Sequence, residues 1–182
     1  MTQQQQAFEP VPLDVLIIGA GLSGIGAAHA LSEKCPDKRY LILERRQSIG
    51  GTWDLFRYPG IRSDSDMYTL SYSYKPWSNR KAIADGPDIK RYIEEIAEDS
   101  GAIHNIRFQR RVVSANWLSE TSRWQVVAKA TDASGAEHEE HYEARFLFSC
   151  SGYYSYDEGY RPTFPNEQNF KGQIIHPQFW PE

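Results

Sequence analysis

Apolar residues crowd the chain from Leu13 to Gly19 (Leu-Asp-Val-Leu-Ile-Ile-Gly), with β-branched residues prominent and glycine closing the run. A short, nearly continuous apolar run of this kind predicts a buried strand of a parallel sheet. From Leu22 the pattern changes to small residues, Leu-Ser-Gly-Ile-Gly-Ala-Ala-His-Ala-Leu, which predicts a helix ending near Cys35-Pro36. Arg39–Glu44 is a second apolar run and a second strand. A strand–helix–strand unit of this length implies a right-handed crossover between parallel neighbours. Residues 45–66, rich in Gly, Pro, Asp and Ser, have little periodicity and form a long loop, which inside a compact domain is usually functional. Over Asp88–Ser100 the apolar positions Ile89, Tyr92, Ile93, Ile96 and Ala97 share one helical face, with Pro87 near the start and Gly101 past the end. Strands follow. Arg107–Leu118, Arg123–Thr131 and Glu137–Glu143 are separated by turn residues and predict an antiparallel meander. Ala144–Ser149 predicts a last apolar strand. The polar start, residues 1–12, predicts a disordered tail.

The fold class expected is α/β: a Rossmann-like sheet of parallel strands with an inserted antiparallel meander. Composition agrees with a folded domain, at 40% hydrophobic and 24% charged residues. The formal net charge of −4 and the scattered basic pairs, Arg45-Arg46 and Arg110-Arg111, argue against nucleic acid as a partner. Cys35 and Cys150 are the only cysteines and lack metal-ligand or disulfide spacing; no metal site is expected. No run approaches the roughly 20 apolar residues of a membrane span, and no signal peptide is apparent. The expected location is the reducing cytoplasm.

Gly19-Ala-Gly21-Leu-Ser-Gly24 is G-x-G-x-x-G at a strand–helix junction. Gly19 permits the tight turn, Gly21 lets a pyrophosphate approach the backbone, and Gly24 lets the helix pack on the strand. The helix N-terminus, at Ser23, then offers free N–H groups to phosphate. Glu44 ends the next strand, 20 residues past Gly24, where a carboxylate accepts from ribose hydroxyls and repels a 2′-phosphate. The ligand expected from these residues is FAD or NAD.

Further motifs lie in order along the chain. Gly50-Gly51-Thr52-Trp53 precedes Tyr58-Pro-Gly-Ile-Arg62-Ser-Asp64, and residues 170–181 read F-x-G-x-x-x-H-x-x-x-W-P through Phe170, Gly172, His176, Trp180 and Pro181. Arg62 and Asp64, two apart in a polar loop, do not identify a site by themselves. Taken together, these segments resemble the class B flavin monooxygenases, and the closing motif resembles the signature of Baeyer–Villiger monooxygenases. Gly50–Tyr68, Ala82–Gly86 and Ser151–Tyr160 resemble the branch holding mycobacterial ethionamide-activating and long-chain alkane enzymes. The resemblance implies FAD and NADPH as cofactors, dioxygen as co-substrate, and a small ketone, thioether, thioamide or alkyl substrate. It implies that Gly51, Thr52, Trp53 and Asp54 lie on the flavin side, with Arg62 and Ser63 near the nicotinamide nucleotide. Asp64 would support a catalytic arginine beyond the residues present, and Val112 would meet the adenine. His176 would be a hinge residue. The remaining histidines have no ligand-like spacing.

By the same resemblance, residues 13–165 form the N-terminal portion of an FAD-binding domain of the glutathione-reductase type, an incomplete domain into which the meander is inserted. Residues 166–182 form a linker toward an NADPH domain not contained in this chain, so this stretch alone is expected to be inactive. Three other readings differ in testable ways. A nucleotide-binding module would hold flavin without oxidising NADPH. An NAD-linked dehydrogenase is opposed by the Gly-Gly-Thr-Trp loop and the closing motif. An N- or S-oxygenating flavin enzyme would prefer amines and sulfides to ketones.

Overall fold

The computed structural model describes residues 11–181. The elements are β1 (Val11–Ile18), α1 (Leu22–Lys34), β2 (Tyr40–Leu43), α2 (Thr52–Leu55), α3 (Met67–Leu70), α4 (Gly86–Asp99), β3 (Ile106–Arg107), β4 (Arg110–Leu118), β5 (Arg123–Thr131) and β6 (Glu137–Ser149). They build one six-stranded sheet in the order β3-β2-β1-β6-β5-β4. β1 lies parallel to both β2 and β6, and β2 parallel to β3, while β5 runs antiparallel to β4 and β6. The Rossmann-like α/β class expected from the apolar pattern is therefore present.

Alternation along the strands sends residues to two cores. Val15, Ile17 and Ile42 pack with Ile25 and Ala28 of α1 and Ile89, Ile93 and Ile96 of α4. Leu16 and Leu43 pack with Val126, Ala128, Tyr142 and Ala144, so the antiparallel strands also contribute to the core. Each isoleucine buried to zero exposure, such as Ile17, Ile42, Ile89 and Ile93, contributes roughly 1.5–3 kcal/mol over an exposed one.

Three expected boundaries move. β1 starts at Val11, where Val11 pairs with Tyr142 and Pro12 with Glu143, so the expected tail is shortened; its residues 1–10 lie outside the described residues. The third meander segment and the last apolar strand are one strand, β6. Its first half pairs with β5 and its second half with β1, overlapping at Tyr142–Ala144. The expected strand Arg107–Leu118 is two strands, because Gln109 takes a left-handed conformation (φ 58°) between β3 and β4. β3 then pairs with β2 and β4 with β5. The loop 45–66 also contains a single helical turn, α2.

Candidate functional site

The carboxyl ends of β1, β2 and β6 open into a cleft of about 640 Å³, the place where open α/β sheets bind ligands. Local chemistry explains its floor. Gly19 turns with φ 100°, and a side chain there would collide with the Cys150 carbonyl at 2.6 Å. A Cβ on Gly24 would fall on the Gly19 carbonyl, so this glycine lets α1 sit against the end of β1. Gly21 faces Gly51, itself at φ 55°, and a Cβ on Gly51 would stand 3.1 Å from the Gly21 Cα. Two glycine turns thus abut where any side chain would fill the cradle. Gly21 caps α1 without a side-chain hydrogen bond, and no acidic residue occupies the first turn. The first-turn amides and the helix dipole remain available to an anion. A dinucleotide pyrophosphate fits this arrangement.

The Gly24 cradle makes a sharp expectation. Gly24→Ala pushes α1 off β1 and destabilises the protein by about 1–3 kcal/mol. Urea melts of wild type and variant measure this, and equal midpoints would show that the helix–strand contact tolerates a methyl group.

Glu44 is buried at 4% exposure. One carboxylate oxygen accepts the Ala20 N–H at 2.8 Å and the other accepts the Arg46 N–H at 2.8 Å. The carboxylate is held rigidly between the glycine turn and the loop after β2, with lone pairs left for ribose hydroxyls. Ser23, Thr52, Trp53 and Val112 also line the cleft. Val112 sits where the pairing of β4 with β5 slips register, between Val112 and Ser114. The structure therefore brings together Gly19, Gly21, Ser23, Glu44, Gly51, Thr52, Trp53 and Val112, with Gly24 beneath them.

The other anticipated residues lie apart from the cleft wall. The Asp54 side chain is 3% exposed and points into a cationic cluster. It accepts from Arg46 Nε at 2.9 Å and Nη2 at 2.6 Å and from Lys90 Nζ at 2.8 Å, with Arg57 at 3.5 Å. Burial raises the carboxyl pKa, but the hydrogen bonds of Lys90 and Arg46 outweigh it and hold the group below its ordinary range. Ser63 is buried and its Oγ accepts the Ala84 N–H at 3.2 Å. Arg62 is exposed and its backbone bridges to Asp85. Asp64 is exposed.

Arg45, Tyr156 and Asp157 also line the cleft and were not anticipated. Arg45 Nη2 donates to Asp157 Oδ1 at 2.6 Å, and its guanidinium lies 5.4 Å from the Tyr156 ring centre. Burial, then the nearby charge of Glu44, pushes the Tyr156 phenol pKa up. The one available signal was the tyrosine-rich run Ser151–Tyr160 following a strand end.

The closing motif folds back toward this wall. Gln178 Nε2 donates to the Ser155 carbonyl at 2.7 Å, and His176 Nδ1 accepts the Gln178 N–H at 3.2 Å. The His176 ring rests on Gly159, and Gly172 lies under the Phe170 ring, each in contact too close for a side chain on the glycine. A second cleft, of about 630 Å³, lies at the opposite end of β1 and β2, beside Leu13, Tyr40 and Arg107, away from the glycine turns. Among the described residues no cluster of His, Cys, Asp and Glu could hold a metal ion, and no helix is long and apolar enough to cross a membrane.

Comparison with known proteins agrees with this geometry. Residues 17–82 match the family described as an NAD(P)-binding Rossmann-like domain. The FAD-containing monooxygenase EthA of Mycolicibacterium smegmatis is 53% identical over 169 residues, covering 93% of this chain and 33% of that protein. EthA of Mycobacterium tuberculosis is 53% identical over 170 residues, covering 93% of this chain and 34% of that protein. Among solved structures, an oxidized steroid monooxygenase bound to NADP superposes with a TM-score of 0.74 at 32% identity, over 94% of this chain and 32% of that one. Cyclohexanone monooxygenase from Rhodococcus sp. Phi1 bound to NADP+ gives 0.75 at 27% identity, over 96% of this chain and 32% of that one. The chain spans about a third of the length of these relatives, and over that third the resemblance read from its motifs is to FAD-containing monooxygenases.

Proposed function

We propose that this chain supplies the FAD-binding part of an NADPH-dependent monooxygenase acting on a small organic substrate and dioxygen. The observation that carries the reading is the paired glycine cradle, Gly21 against Gly51, under an uncapped helix N-terminus and beside the buried Glu44. Gly19, Gly21, Ser23 and Gly24 receive the pyrophosphate, Glu44 the adenosine ribose, and Val112 the adenine. Gly51, Thr52 and Trp53 face the flavin end. When bound, flavin supplies the chemistry of taking a hydride from NADPH and activating dioxygen. The residues of this chain position it and exclude water. Asp54 acts from behind, fixing the Gly50–Leu55 turn through Arg46 and Lys90. Arg62 and Ser63 stand toward the nicotinamide nucleotide, and Asp64 toward the flavin face.

The substrate class proposed is a ketone, oxidised to an ester, with thioether, thioamide and alkyl compounds as the other candidates. The neighbour named cyclohexanone monooxygenase, whose named substrate is a ketone, supports placing ketones first. The cytoplasm is the proposed location.

Asp64 tests the reading. It is exposed and outside the glycine cradle. In the full-length protein, Asp64→Ala keeps its flavin absorbance but oxidises NADPH with a lower yield of oxygenated product. Assays with a ketone, an amine and a sulfide, following NADPH and product together, measure the coupling. Wild-type yield in the variant would remove Asp64 from the oxygenation machinery. Flavin binding with no NADPH oxidation in the parent protein would leave only a flavin-binding module.

A further inference from the structure

The wall of the cleft beside the glycine turns is not a strand but the segment Ser151–Asp157, which follows β6. Its inner residue, Tyr156, stands with its hydroxyl 3.7 Å from the point where a Gly51 side chain would begin. Gly21 Cα is 3.1 Å from that same point. The phenol therefore stands against the Gly51 turn, at the position that also faces Gly21. Its ring has a guanidinium near it twice, Arg45 at 5.4 Å and Arg46 at 5.9 Å from the centroid.

Two polar ties hold this segment. One is the Arg45–Asp157 pair, with contacts of 2.6 and 3.4 Å, joining the segment to the loop after β2. Its other anchor is the closing motif: Gln178, 9% exposed, donates to the Ser155 carbonyl at 2.7 Å, and His176 packs on Gly159. The Tyr154 ring also meets Phe56 edge-on, with centroids 4.9 Å apart, an apolar contact at an exposed residue. Ser151, Gly152, Tyr153, Tyr154, Ser155 and Asp157 are all exposed, and Gly152 turns with φ 71° at the end of β6, a conformation glycine adopts freely.

We propose that Ser151–Asp157 is a latch over the dinucleotide cleft, closed by Tyr156 and the Arg45–Asp157 pair and tethered by Gln178 of the closing motif. Opening pivots at Gly152 and lifts the phenol from the Gly51 turn. FAD enters and leaves through that opening, so the latch sets the exchange rate in both directions. The tether makes the cleft sensitive to the closing motif: a displacement of His176 and Gln178 pulls on Ser155 and, one residue on, on Tyr156. This inference rests on the reading of the cleft as an FAD site.

The test is the kinetics of FAD exchange in the full-length protein. Flavin is stripped, FAD is remixed, and association is followed by its fluorescence change; release is followed by trapping with excess apoflavoprotein. Asp157→Asn breaks the first tie and Gln178→Ala the second, at positions 21 residues apart in the chain. Each is expected to speed association and release together by about three- to fivefold, the range of one partly exposed polar tie. Tyr156→Ala is expected to speed both by about tenfold. Unchanged rates in all three variants, with FAD binding still weakened by Glu44→Ala, would overturn the latch and leave the cofactor site in place. Faster release with unchanged association would also overturn it, by making Tyr156 a simple contact. A parent protein that takes up no FAD would fail the site reading itself.

Discussion

Asp54→Ala is expected to lower the stability of the protein by about 3 kcal/mol, the low end of the cost of removing one partner from a buried ion pair. The low end applies because Arg46 and Lys90 keep about a quarter of their side-chain surface in water, at 27% each, while Asp54 keeps 3%. Three elements meet at this one carboxylate: Asp54 in α2, Arg46 in the loop after β2, and Lys90 in α4. The Lys90 stem also packs at 3.2 Å from where a Gly50 side chain would begin, so loss of Asp54 frees the turn that carries Gly51. The pH dependence follows from the depressed carboxyl. Its folded pKa lies below the ordinary 3.8, so its contribution is fully present above 3.8 and is lost as pH falls through the folded value. Urea melts from neutral pH downward check this: the gap between wild type and Asp54→Asn is constant near neutrality and closes only in acid. A constant gap across the acid range, or no gap at neutral pH, would show that the cluster does not hold α2 in place.

Local requirements made much of the site legible. Gly19, Gly21 and Gly24 are legible because their spacing at a strand–helix junction is itself the signal, although only the Gly24 contact, with the Gly19 carbonyl, is local, while Gly19 meets Cys150 and Gly21 meets Gly51. Glu44 is legible because a strand end fixes its place relative to that turn. The face of α4 is legible because burial repeats with the helix period. Features decided by distant partners were hidden. The break at Gln109 has no glycine or proline to mark it. β6 reads as two strands because its pattern changes from charged alternation to a continuous apolar run at Ala144. Physically, that change marks an exchange of partner, from antiparallel β5 to parallel β1, within one strand. Asp54 follows a tryptophan that lines the cleft and reads as a cofactor residue. Its half-buried cationic partners, Arg46 and Lys90, lie 8 and 36 residues away, and no local pattern announces them. Tyr156 was hidden for the same reason: only the folded chain places it against Gly51.

Glu44→Ala is expected to weaken FAD binding by about ten- to a hundredfold, the loss of one charge-assisted hydrogen bond to a ribose hydroxyl. The structure adds a second consequence. Each oxygen of this carboxylate also accepts a backbone N–H at 2.8 Å, one from buried Ala20 and one from Arg46. Truncation leaves the Ala20 amide without a partner in the turn between Gly19 and Gly21, at a cost of about 1–3 kcal/mol to the flavin-free protein. Affinity and stability therefore fall together in the alanine variant. Glu44→Gln separates them. Its carbonyl oxygen still accepts one backbone N–H, so part of the stability returns, while the charge that strengthens the ribose contact does not. The measurements are FAD titrations and denaturant melts of the flavin-free full-length protein for both variants. If Glu44→Ala loses stability but binds FAD as tightly as the parent, Glu44 is a brace for the glycine turn and not the ribose acceptor. If Glu44→Gln recovers stability while FAD binding stays weak, the carboxylate serves both the turn and the ribose, and the position of the second depends on the first.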